Sequence, residues 1–251
     1  MLGRKLFYEF WYKMYKMSLK GMNIGNSAGD VKKSGEYNVF RLVKGTKSKK
    51  KVLFDIGANR GEYTKALLQN FPDAQIHSFE PARETYKTLK KNVRAENVKL
   101  NNFGISNEIS ESILYYDKEN SGLASLYNRQ LDYFGVDFSK SETVRLDTLD
   151  HYCRENNVRH IDLLKLDIEG NELNALKGAT ELLAEKRIKV IQIEFGGCNI
   201  DSRVFFRDFW NLLHEDFRMC RILRDGFKEI LQYDERLENF ATTNYVFILK
   251  K

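Results

Sequence analysis

The 251-residue sequence is poor in the residues and patterns that mark structural zinc proteins and membrane-spanning proteins. Its three cysteines, Cys153, Cys198 and Cys220, are far apart, and no C-x-x-C pair occurs. An odd number of separated cysteines argues against structural zinc and favours a reducing compartment. No apolar run reaches membrane-spanning length, and charges interrupt the apolar N-terminal stretch, unlike the core of a signal peptide. We therefore expect a cytoplasmic protein.

Histidine-based chemistry has no recognisable pattern either. None of the four histidines lies in a metal-spaced pair or beside a nucleophile signature. We therefore expect the histidines to be packing or surface residues.

The net charge of +6 is unevenly distributed along the chain. Residues 1–51 contain 13 lysines and arginines and 3 acidic residues, a net charge of +10. Of the totals of 41 basic and 35 acidic residues, 28 and 32 remain for residues 52–251, a net charge of −4. Such an acidic body is unlike a surface that tracks a polyphosphate, so nucleic acid is not the expected partner.

Residues 1–20 have the spacing of an amphipathic helix. Phe7, Phe10, Met14 and Met17 share one face, and four lysines lie mostly opposite them: Lys5, Lys13, Lys16 and Lys20. One hypothesis is peripheral association with an anionic membrane, at the inner face of the cell membrane. The other is that the helix packs on its own domain or on a second subunit, as in a homodimer.

The composition changes to Gly, Asn, Ser and Lys over residues 21–51, around a short periodic stretch at 37–43. This pattern predicts a loop, a short helix and an exposed basic connector. We divide the chain into a basic N-terminal extension, residues 1–47, and a main domain, residues 48–251.

The rest of the chain alternates between apolar strands and amphipathic helices, which predicts an α/β fold. Near-continuous apolar runs predict a mostly parallel sheet with helices on both faces, its strands at residues 51–56, 75–80, 98–105, 161–167 and 188–195. Helices are predicted at residues 61–69, 83–94, 148–156, 172–185 and 205–214. Two last strands, near residues 218–223 and 245–250, are expected to form an antiparallel pair. Residues 106–143 are expected to be an inserted loop region at the sheet's edge.

A turn with two glycines follows the first predicted strand. Its spacing is G-x-N-x-G, from Gly57 through Asn59 to Gly61, and differs from the G-x-G-x-x-G of dinucleotide enzymes. The glycines let the backbone turn sharply and approach a bound adenosyl group, while Asp55 either orients the loop or receives an ammonium group. The alternative is an ordinary strand-to-helix turn.

An acidic residue ends the second predicted strand, nineteen residues after Gly61. Glu80 lies where βαβ units place the acid that accepts hydrogen bonds from ribose hydroxyls. Alternatively it is a helix N-terminal acid that interacts with the helix dipole, since Pro81 can start the next helix. The spacing from Gly61 favours the ribose role.

Carboxylates gather at the ends of two later strands. Asp167 ends the fourth predicted strand, Glu169 and Glu172 lie in the turn that follows it, and Glu194 lies near the end of the fifth strand. Since α/β sheets place chemistry at the carboxyl ends of neighbouring strands, we expect these acids to converge beside the glycine loop. The alternative is structural, because Lys165 and Asp167 share one face of the strand and can neutralise each other. A crevice of this kind suits S-adenosylmethionine, a cationic, adenosyl-bearing methyl donor.

With these motifs the chain resembles the FkbM-type family of S-adenosylmethionine-dependent methyltransferases. The resemblance covers roughly residues 36–196 and rests on these segments: 52–61, 79–81, 102–106, 148–150, 161–172 and 176–179. It implies a Rossmann-like class I methyltransferase fold with a mostly parallel seven-stranded sheet and an antiparallel C-terminal strand. It also implies donor contacts at Asp55, Gly57, Asn59, Gly61 and Glu80, with Asn102 near the adenine.

Many members of this family O-methylate sugars or polyketide hydroxyls. The resemblance therefore implies methyl transfer to a hydroxyl of a sugar, a glycan or another small molecule. A base must remove the hydroxyl proton, and the candidates are Asp167, Glu169 and Glu194. The same carboxylates could hold a divalent metal ion, because hard cations prefer oxygen ligands. The sequence establishes neither the acceptor nor a metal.

Two other functions compete with this one. An RNA methyltransferase could grip phosphates with the basic extension, but the acidic body and the lack of an Asn-Pro-Pro-Tyr-like motif oppose it. A noncatalytic adenosyl-binding protein docked on a membrane would keep the fold. Such a protein would bind the donor without turnover on any hydroxyl acceptor.

Overall fold

Strands and helices alternate in the computed structural model, which describes residues 2–25, 34–48 and 50–251. The strands are β1 Val52–Ile56, β2 Gln75–Phe79, β3 Val98–Asn101, β4 Gly104–Ile105, β5 Ser110–Tyr116, β6 Lys140–Asp147, β7 Leu163–Leu166, β8 Val190–Phe195, β9 Phe217–Leu223, β10 Gly226–Glu229 and β11 Thr243–Leu249. The helices are α1 Tyr8–Gly21, α2 Tyr37–Lys44, α3 Glu62–Asn70, α4 Arg83–Asn92, α5 Leu149–Glu155, α6 Glu172–Lys177, α7 Thr180–Ala184, α8 Cys198–Ser202 and α9 Phe206–Leu213.

The main sheet has the strand order β10-β9-β11-β8-β7-β1-β2-β3. β1 pairs in parallel with β2 and β7, β2 pairs in parallel with β3, and β7 pairs in parallel with β8. β11 runs antiparallel to both β8 and β9. The predicted Rossmann-like fold, with a mostly parallel sheet and an antiparallel C-terminal strand, is confirmed. Among the described residues the sheet has eight strands instead of the expected seven, because the short β10 folds back on β9 at its edge.

Helices cover both faces of this sheet and bury an apolar core on each. Phe54 and Leu164 belong to one core, whereas their neighbours Leu53 and Leu163 belong to the other. Successive side chains of a strand point to opposite faces, so β1 and β7 contribute to both cores. Every residue of these two strands is buried, which explains their near-continuous apolar sequence.

A second sheet forms where the sequence predicts one long strand followed by a loop region. The predicted strand 98–105 divides into β3, in the main sheet, and β4, which pairs with β6. β5 and β6 form an antiparallel hairpin, so the expectation of an irregular insertion over residues 106–143 is wrong for its two ends. Leu114, Val144 and Leu146 are buried between more exposed neighbours, the alternation of a half-buried strand.

The helix predicted at residues 172–185 is divided into α6 and α7 at Gly178. An ideal Cβ at this position would lie 2.1 Å from the carbonyl oxygen of Ser106. The carbonyl of Gly178 in turn accepts a hydrogen bond of 3.0 Å from the backbone amide of Asp150. The helix therefore breaks where its backbone meets the second sheet and the start of α5.

The two N-terminal helices differ in how far their side chains are buried. α2 buries Val39, Phe40 and Val43 in one core, although it precedes the predicted domain boundary. No residue of α1, which is described throughout, is buried. The loop predicted before α2 falls largely on residues 26–33, which lie outside the described residues, as do Met1 and residue 49. The division into residues 1–47 and 48–251 stays a prediction.

Because no residue of α1 is buried, the hypothesis that the helix packs on its own domain is wrong for residues 8–21. The other two partners, a membrane or a second subunit, stay predictions. Among residues 2–25, 34–48 and 50–251, no helix combines the length and apolar character that crossing a bilayer requires.

The carboxyl ends of β1 and β7 meet where the strand order reverses, the position at which α/β sheets bind ligands. Gly57 follows β1 with a φ of 82°, a conformation that side-chain-bearing residues rarely adopt. An ideal Cβ on Gly57 would lie 1.9 Å from the carbonyl oxygen of Asp167 at the end of β7. Both the backbone conformation and the space therefore require glycine here.

Phe40→Ala should lower the free energy of unfolding by about 3–5 kcal/mol, because it removes a large buried side chain from the core. The matched control is Phe10→Ala on α1, whose side chain is 55% exposed, and it should change stability by less than about 0.5 kcal/mol. Urea denaturation measures both values. Equally small effects would mean that α2 is not part of the folded core.

A left-handed backbone alone should cost an alanine about 1–2 kcal/mol in the free energy of unfolding. Gly57→Ala should cost considerably more, because the new methyl group meets the backbone of Asp167. Gly135→Ala is the control, since Gly135 has a φ of 68° and no atom lies within 4 Å of its ideal Cβ. Thermal unfolding compares the two variants. Equal melting temperatures would contradict the close approach of β1 and β7.

Candidate active site

A cavity of about 510 Å³ opens outside the carboxyl ends of the central strands, a volume typical of small-molecule sites. Six of the predicted site residues line it: Gly57, Asn59, Glu80, Asp167, Glu169 and Glu194. The other three, Asp55, Gly61 and Asn102, are not among its lining residues. Segments from both halves of the chain thus meet at one place.

The loop between β1 and α3 is held by the end of β2. The backbone amides of Gly57 and Ala58 donate to the carbonyl of Phe79 at 3.0 and 2.9 Å. Asn59 adopts a φ of 47°, and its backbone amide donates to Oε2 of Glu80 at 3.0 Å. Gly61 lies outside the cavity, and an ideal Cβ there would lie 2.7 Å from the side chain of Val93 on the far side of the loop.

Glu80 is buried at the wall of the cavity, beside this loop. Its Oε1 accepts a hydrogen bond of 2.9 Å from the backbone amide of Ala82, and its Oε2 accepts the one from Asn59. Burial raises the pKa of Glu80 to about 7, although these two amides act in the opposite direction. Since a carboxylate has about four acceptor positions, the side chain can accept two further hydrogen bonds, as a ribose diol requires.

Asp55 lies beneath the loop and is fully buried. Its Oδ2 accepts a hydrogen bond of 2.6 Å from the hydroxyl of Thr64 on α3. Its Oδ1 lies 3.6 Å from Nζ of Lys165. Burial raises the pKa of Asp55, and Lys165 and Thr64 act against this rise. Of the two roles predicted for Asp55, these contacts favour orientation of the loop and of α3.

Asn102 also supports the site from outside the cavity. Its side-chain amide donates to the backbone carbonyls of Glu80 and Pro81 at 2.9 and 3.0 Å. The side chain therefore stabilises the turn that carries Glu80. Its predicted position near an adenine stays a prediction.

The lining of the cavity includes apolar side chains that suit an aromatic base. They are Phe79, Pro81 and Ile105, together with Leu114 of β5 and Leu146 of β6. We did not predict these two leucines from the sequence, because we interpreted the hairpin as a loop. The alternation of polar and apolar residues through β6 is the signal that could have found them.

Three of the predicted acids lie together in the lining of the cavity. One carboxylate oxygen from each of Asp167, Glu169 and Glu194 lies within 4.8 Å of the others. Lys165 donates to Oδ2 of Asp167 at 3.1 Å, so the structural pair proposed for these residues exists within the cluster. Arg129, which was not predicted, donates from Nη1 to Oε2 of Glu169.

Glu194 differs from its two neighbours because the contacts among the described residues include no hydrogen bond or ion pair to its carboxylate. Burial raises its pKa well above the usual value, and Asp167 and Glu169 raise it further. Burial also raises the pKa of Glu169, with Asp167 adding to the effect and Arg129 opposing it. The acid without a direct cationic partner is thus Glu194.

Two further glutamates contribute in different ways. Glu36, ahead of α2, lines the cavity and accepts a hydrogen bond of 2.6 Å from Nε2 of Gln192 on β8. Glu172, which we expected among the converging acids, is fully buried behind the cavity. It accepts hydrogen bonds from the backbone amides of Ile168 and Gly170, at 2.9 Å to the former, and thereby fixes the turn that presents Glu169.

A segment of the connection between β5 and β6 closes the cavity on one side. The side-chain amide of Asn59 donates to the carbonyl of Ser121 at 2.8 Å. The hydroxyl of Ser125 donates to the carbonyl of Glu169 at 2.7 Å. The segment therefore joins the glycine loop to the acid cluster.

The arrangement fits an adenosyl amino acid with a sulfonium group. The apolar part of the lining can accommodate the adenine, and Glu80 has acceptor positions left for the ribose. The acid cluster lines the same cavity, where it can attract the cationic part. The carboxylate oxygens of Asp167, Glu169 and Glu194 would also suit a hard cation. However, Lys165 already neutralises Asp167, and Arg129 already neutralises Glu169. A metal therefore stays a prediction only.

Solved structures resemble this fold at low sequence identity. One is the plantazolicin methyltransferase BpumL in complex with SAH, with 12% identity and a TM-score of 0.44 over 95% of this chain and 99% of that one. Another is the N-terminal domain of human METTL16 in complex with SAH, with 12% identity and a TM-score of 0.46 over 88% and 71% of the two chains. Neither likeness bears on the substrate.

Several curated relatives match part of the chain. The 2-O-methyltransferase NoeI of Sinorhizobium fredii is 27% identical over 147 residues, which are 54% of this chain and 60% of NoeI. The hexuronic acid methyltransferase AglP of Haloferax volcanii is 29% identical over 164 residues, which are 64% of each chain. Methyltransferase 1 of Beauveria bassiana is 27% identical over 50% of this chain and 57% of its own. The chain thus spans 57–64% of the length of these relatives.

The family assignment rests on a longer match. Residues 55–236 correspond to the methyltransferase FkbM domain. Because this match covers more than half of the chain and includes the glycine loop and all three clustered acids, the protein belongs to the FkbM family of S-adenosylmethionine-dependent methyltransferases.

Proposed function

We propose that this protein transfers the methyl group of S-adenosylmethionine to a hydroxyl oxygen of a sugar, a glycan or another small molecule. The observation that carries the proposal is the cluster of Asp167, Glu169 and Glu194 in the lining of the cavity. There they can bind the hydroxyls of an acceptor and remove a proton. The name of NoeI, a 2-O-methyltransferase, supports methyl transfer to oxygen, and that of AglP, a hexuronic acid methyltransferase, supports a sugar as the acceptor.

The reaction needs alignment and one proton acceptor. When bound, S-adenosylmethionine supplies an already activated methyl carbon. The glycine loop and Glu80 hold the donor, and the acid cluster holds the acceptor hydroxyl in line with the methyl group, an effect worth on the order of 7 kcal/mol in favourable cases. Glu194 accepts the hydroxyl proton, because Asp167 and Glu169 are already paired with Lys165 and Arg129.

The charge of the cavity favours a neutral acceptor. Its lining includes six acidic side chains, Glu36, Glu62, Glu80, Asp167, Glu169 and Glu194, against three basic ones, Arg60, Arg129 and Lys165. Where these acids are ionised, they attract the cationic donor and repel phosphates and carboxylates. This distribution favours a neutral sugar hydroxyl over RNA, the second enzymatic candidate.

We also infer a cytoplasmic location, where thiols stay reduced. All three cysteines are free and buried. Their burial raises the pKa of each thiol, which keeps it protonated and unreactive.

The proposal is tested with S-adenosylmethionine carrying an isotopic label in its methyl group. The labelled donor is incubated with the protein and a panel of neutral glycosides, hexuronic acids and total RNA. We expect label in the neutral glycosides that survives mild alkali, because a methyl ether is stable there and a methyl ester is hydrolysed. Alkali-labile label would instead indicate a carboxyl acceptor, and labelled RNA would support the second candidate. Donor binding without transfer to any hydroxyl would favour a noncatalytic protein.

Donor affinity should increase from pH 6 to pH 8. Glu80, whose pKa is raised to about 7, accepts ribose hydrogen bonds best when it is ionised, and it ionises as the pH rises through this range. Calorimetry with methylthioadenosine isolates the effect, since that ligand carries the ribose without the charged amino acid. Glu80→Gln should weaken binding at pH 8 by about 1–3 kcal/mol and flatten the pH dependence. Unchanged affinity in a folded variant would remove Glu80 from the site.

Glu194→Gln should lower kcat by about 10²- to 10⁴-fold, because the amide cannot take up the hydroxyl proton. The rate of the wild-type protein should rise with pH as Glu194 loses its own proton. Glu181→Gln is the matched control outside the cavity lining, where the Glu181 side chain is 58% exposed, and it should keep its activity. A fully active Glu194→Gln variant would exclude this base, and loss of activity only in Asp167→Asn would assign the role to Asp167.

A further inference from the structure

Helix α1 exposes a concentration of apolar side chains that the methyltransferase site does not explain. Phe10 is 55% exposed, Trp11 42%, Met14 41%, Tyr15 53% and Met17 56%. None of the fourteen residues of α1 is buried, whereas the side chains of α2 form part of a core. Exposed apolar surface of this extent marks an interaction site.

The distribution of residues around α1 indicates the kind of partner. With 3.6 residues per turn, Glu9, Lys13 and Lys16 fall on one narrow strip. Aromatic residues, methionines and Leu19 occupy most of the remaining circumference. A two-helix contact buries only a narrow seam, so it would leave much of this apolar surface in water. A helix that lies in a lipid interface buries a broad apolar side and keeps a charged strip toward water.

We propose that α1 docks on the surface of an anionic membrane. Residues 2–22 carry five basic side chains, Arg4, Lys5, Lys13, Lys16 and Lys20, against the single acid Glu9. Their positive charge complements anionic headgroups, and tyrosine and tryptophan favour the interfacial region at which such a helix lies. Long lysine side chains at the border of the apolar side can reach the headgroups while their stems stay in contact with it.

The residues that directly follow α1 connect it to the border of the cavity. Directly after the helix, the side chain of Asn23 donates to the carbonyl of Ile222 at 3.1 Å. The backbone amide of Gly25 donates to the carbonyl of Thr242 at 2.8 Å, and Thr242 lines the cavity. A docked α1 gives the cavity access to hydroxyl acceptors that are anchored in lipid. This consequence of docking rests on the proposed function.

Co-sedimentation with vesicles tests the docking. The full chain is mixed with vesicles of phosphatidylcholine alone, or of phosphatidylcholine with 30% phosphatidylglycerol. We expect at least tenfold more bound protein on the anionic vesicles and release at 0.5 M salt, since salt screens the headgroup charge. Equal recovery on both vesicles, or none on either, would overturn the proposal.

Two pairs of variants separate the contributions of charge and of apolar surface. Lys5→Gln/Lys13→Gln/Lys16→Gln should lose at least tenfold in anionic binding, whereas the same change at exposed Lys87, Lys90 and Lys91 of α4 should have little effect. Phe10→Ser/Met14→Ser/Met17→Ser should also lose binding, whereas Ile109→Ser/Phe134→Ser/Leu231→Ser, at equally exposed sites elsewhere, should retain it.

Calorimetry with S-adenosylhomocysteine on each variant shows that the body is folded. This control also separates the docking from the proposed function, because donor binding can fail without affecting vesicle binding and the reverse also holds. Light scattering of the unbound protein gives its molecular mass. A stable dimer that the α1 serine variant converts to a monomer, together with no vesicle binding, would assign the helix to a second copy of the chain.

Discussion

A buried lysine connects the two halves of the active site. Lys165 lies 3.1 Å from Asp167 and 3.6 Å from Asp55, and its ammonium group is 4.8 Å from the centre of the Tyr63 ring. Burial alone would lower the pKa of Lys165, but Asp167, Asp55 and Glu36 more than offset this and raise it. The lysine therefore stays charged and fixes the ends of β1 and β7 relative to each other. Without it, Asp55 would be a buried charge with no cation beside it, a costly arrangement.

The remaining acids of the cavity form a second electrostatic unit that is only partly neutralised. Burial and mutual repulsion raise the pKa values of Glu169 and Glu194. A cationic ligand beside them stabilises their ionised forms, so its binding and their loss of protons reinforce each other. In the proposed reaction, donor binding and the availability of a base are therefore coupled.

Distant parts of the chain enclose the cavity. The glycine loop and the turn at Glu169 come from the central strands, and the segment through Ser121 joins them by side-chain hydrogen bonds. Glu36, which directly precedes α2, also lines the cavity, because the packing of α2 in the core places it there. The region that we divided from the main domain at residue 47 therefore contributes to the cavity, whereas α1 ahead of it remains exposed.

The sequence by itself determined the α/β alternation, the glycine loop and the three acids, because strand periodicity and residue spacing are local properties of the chain. It also indicated Glu80 through its distance from Gly61. Only the tertiary structure decided that Asp55 and Asn102 support the cavity from behind, and that Glu172 holds a turn while Arg129 and Glu36 reach the site. The break at Gly178 has the same origin, since its cause is the backbone of Ser106, seventy-two residues away. Such contacts depend on packing between distant segments, and no local pattern encodes which atoms will meet there.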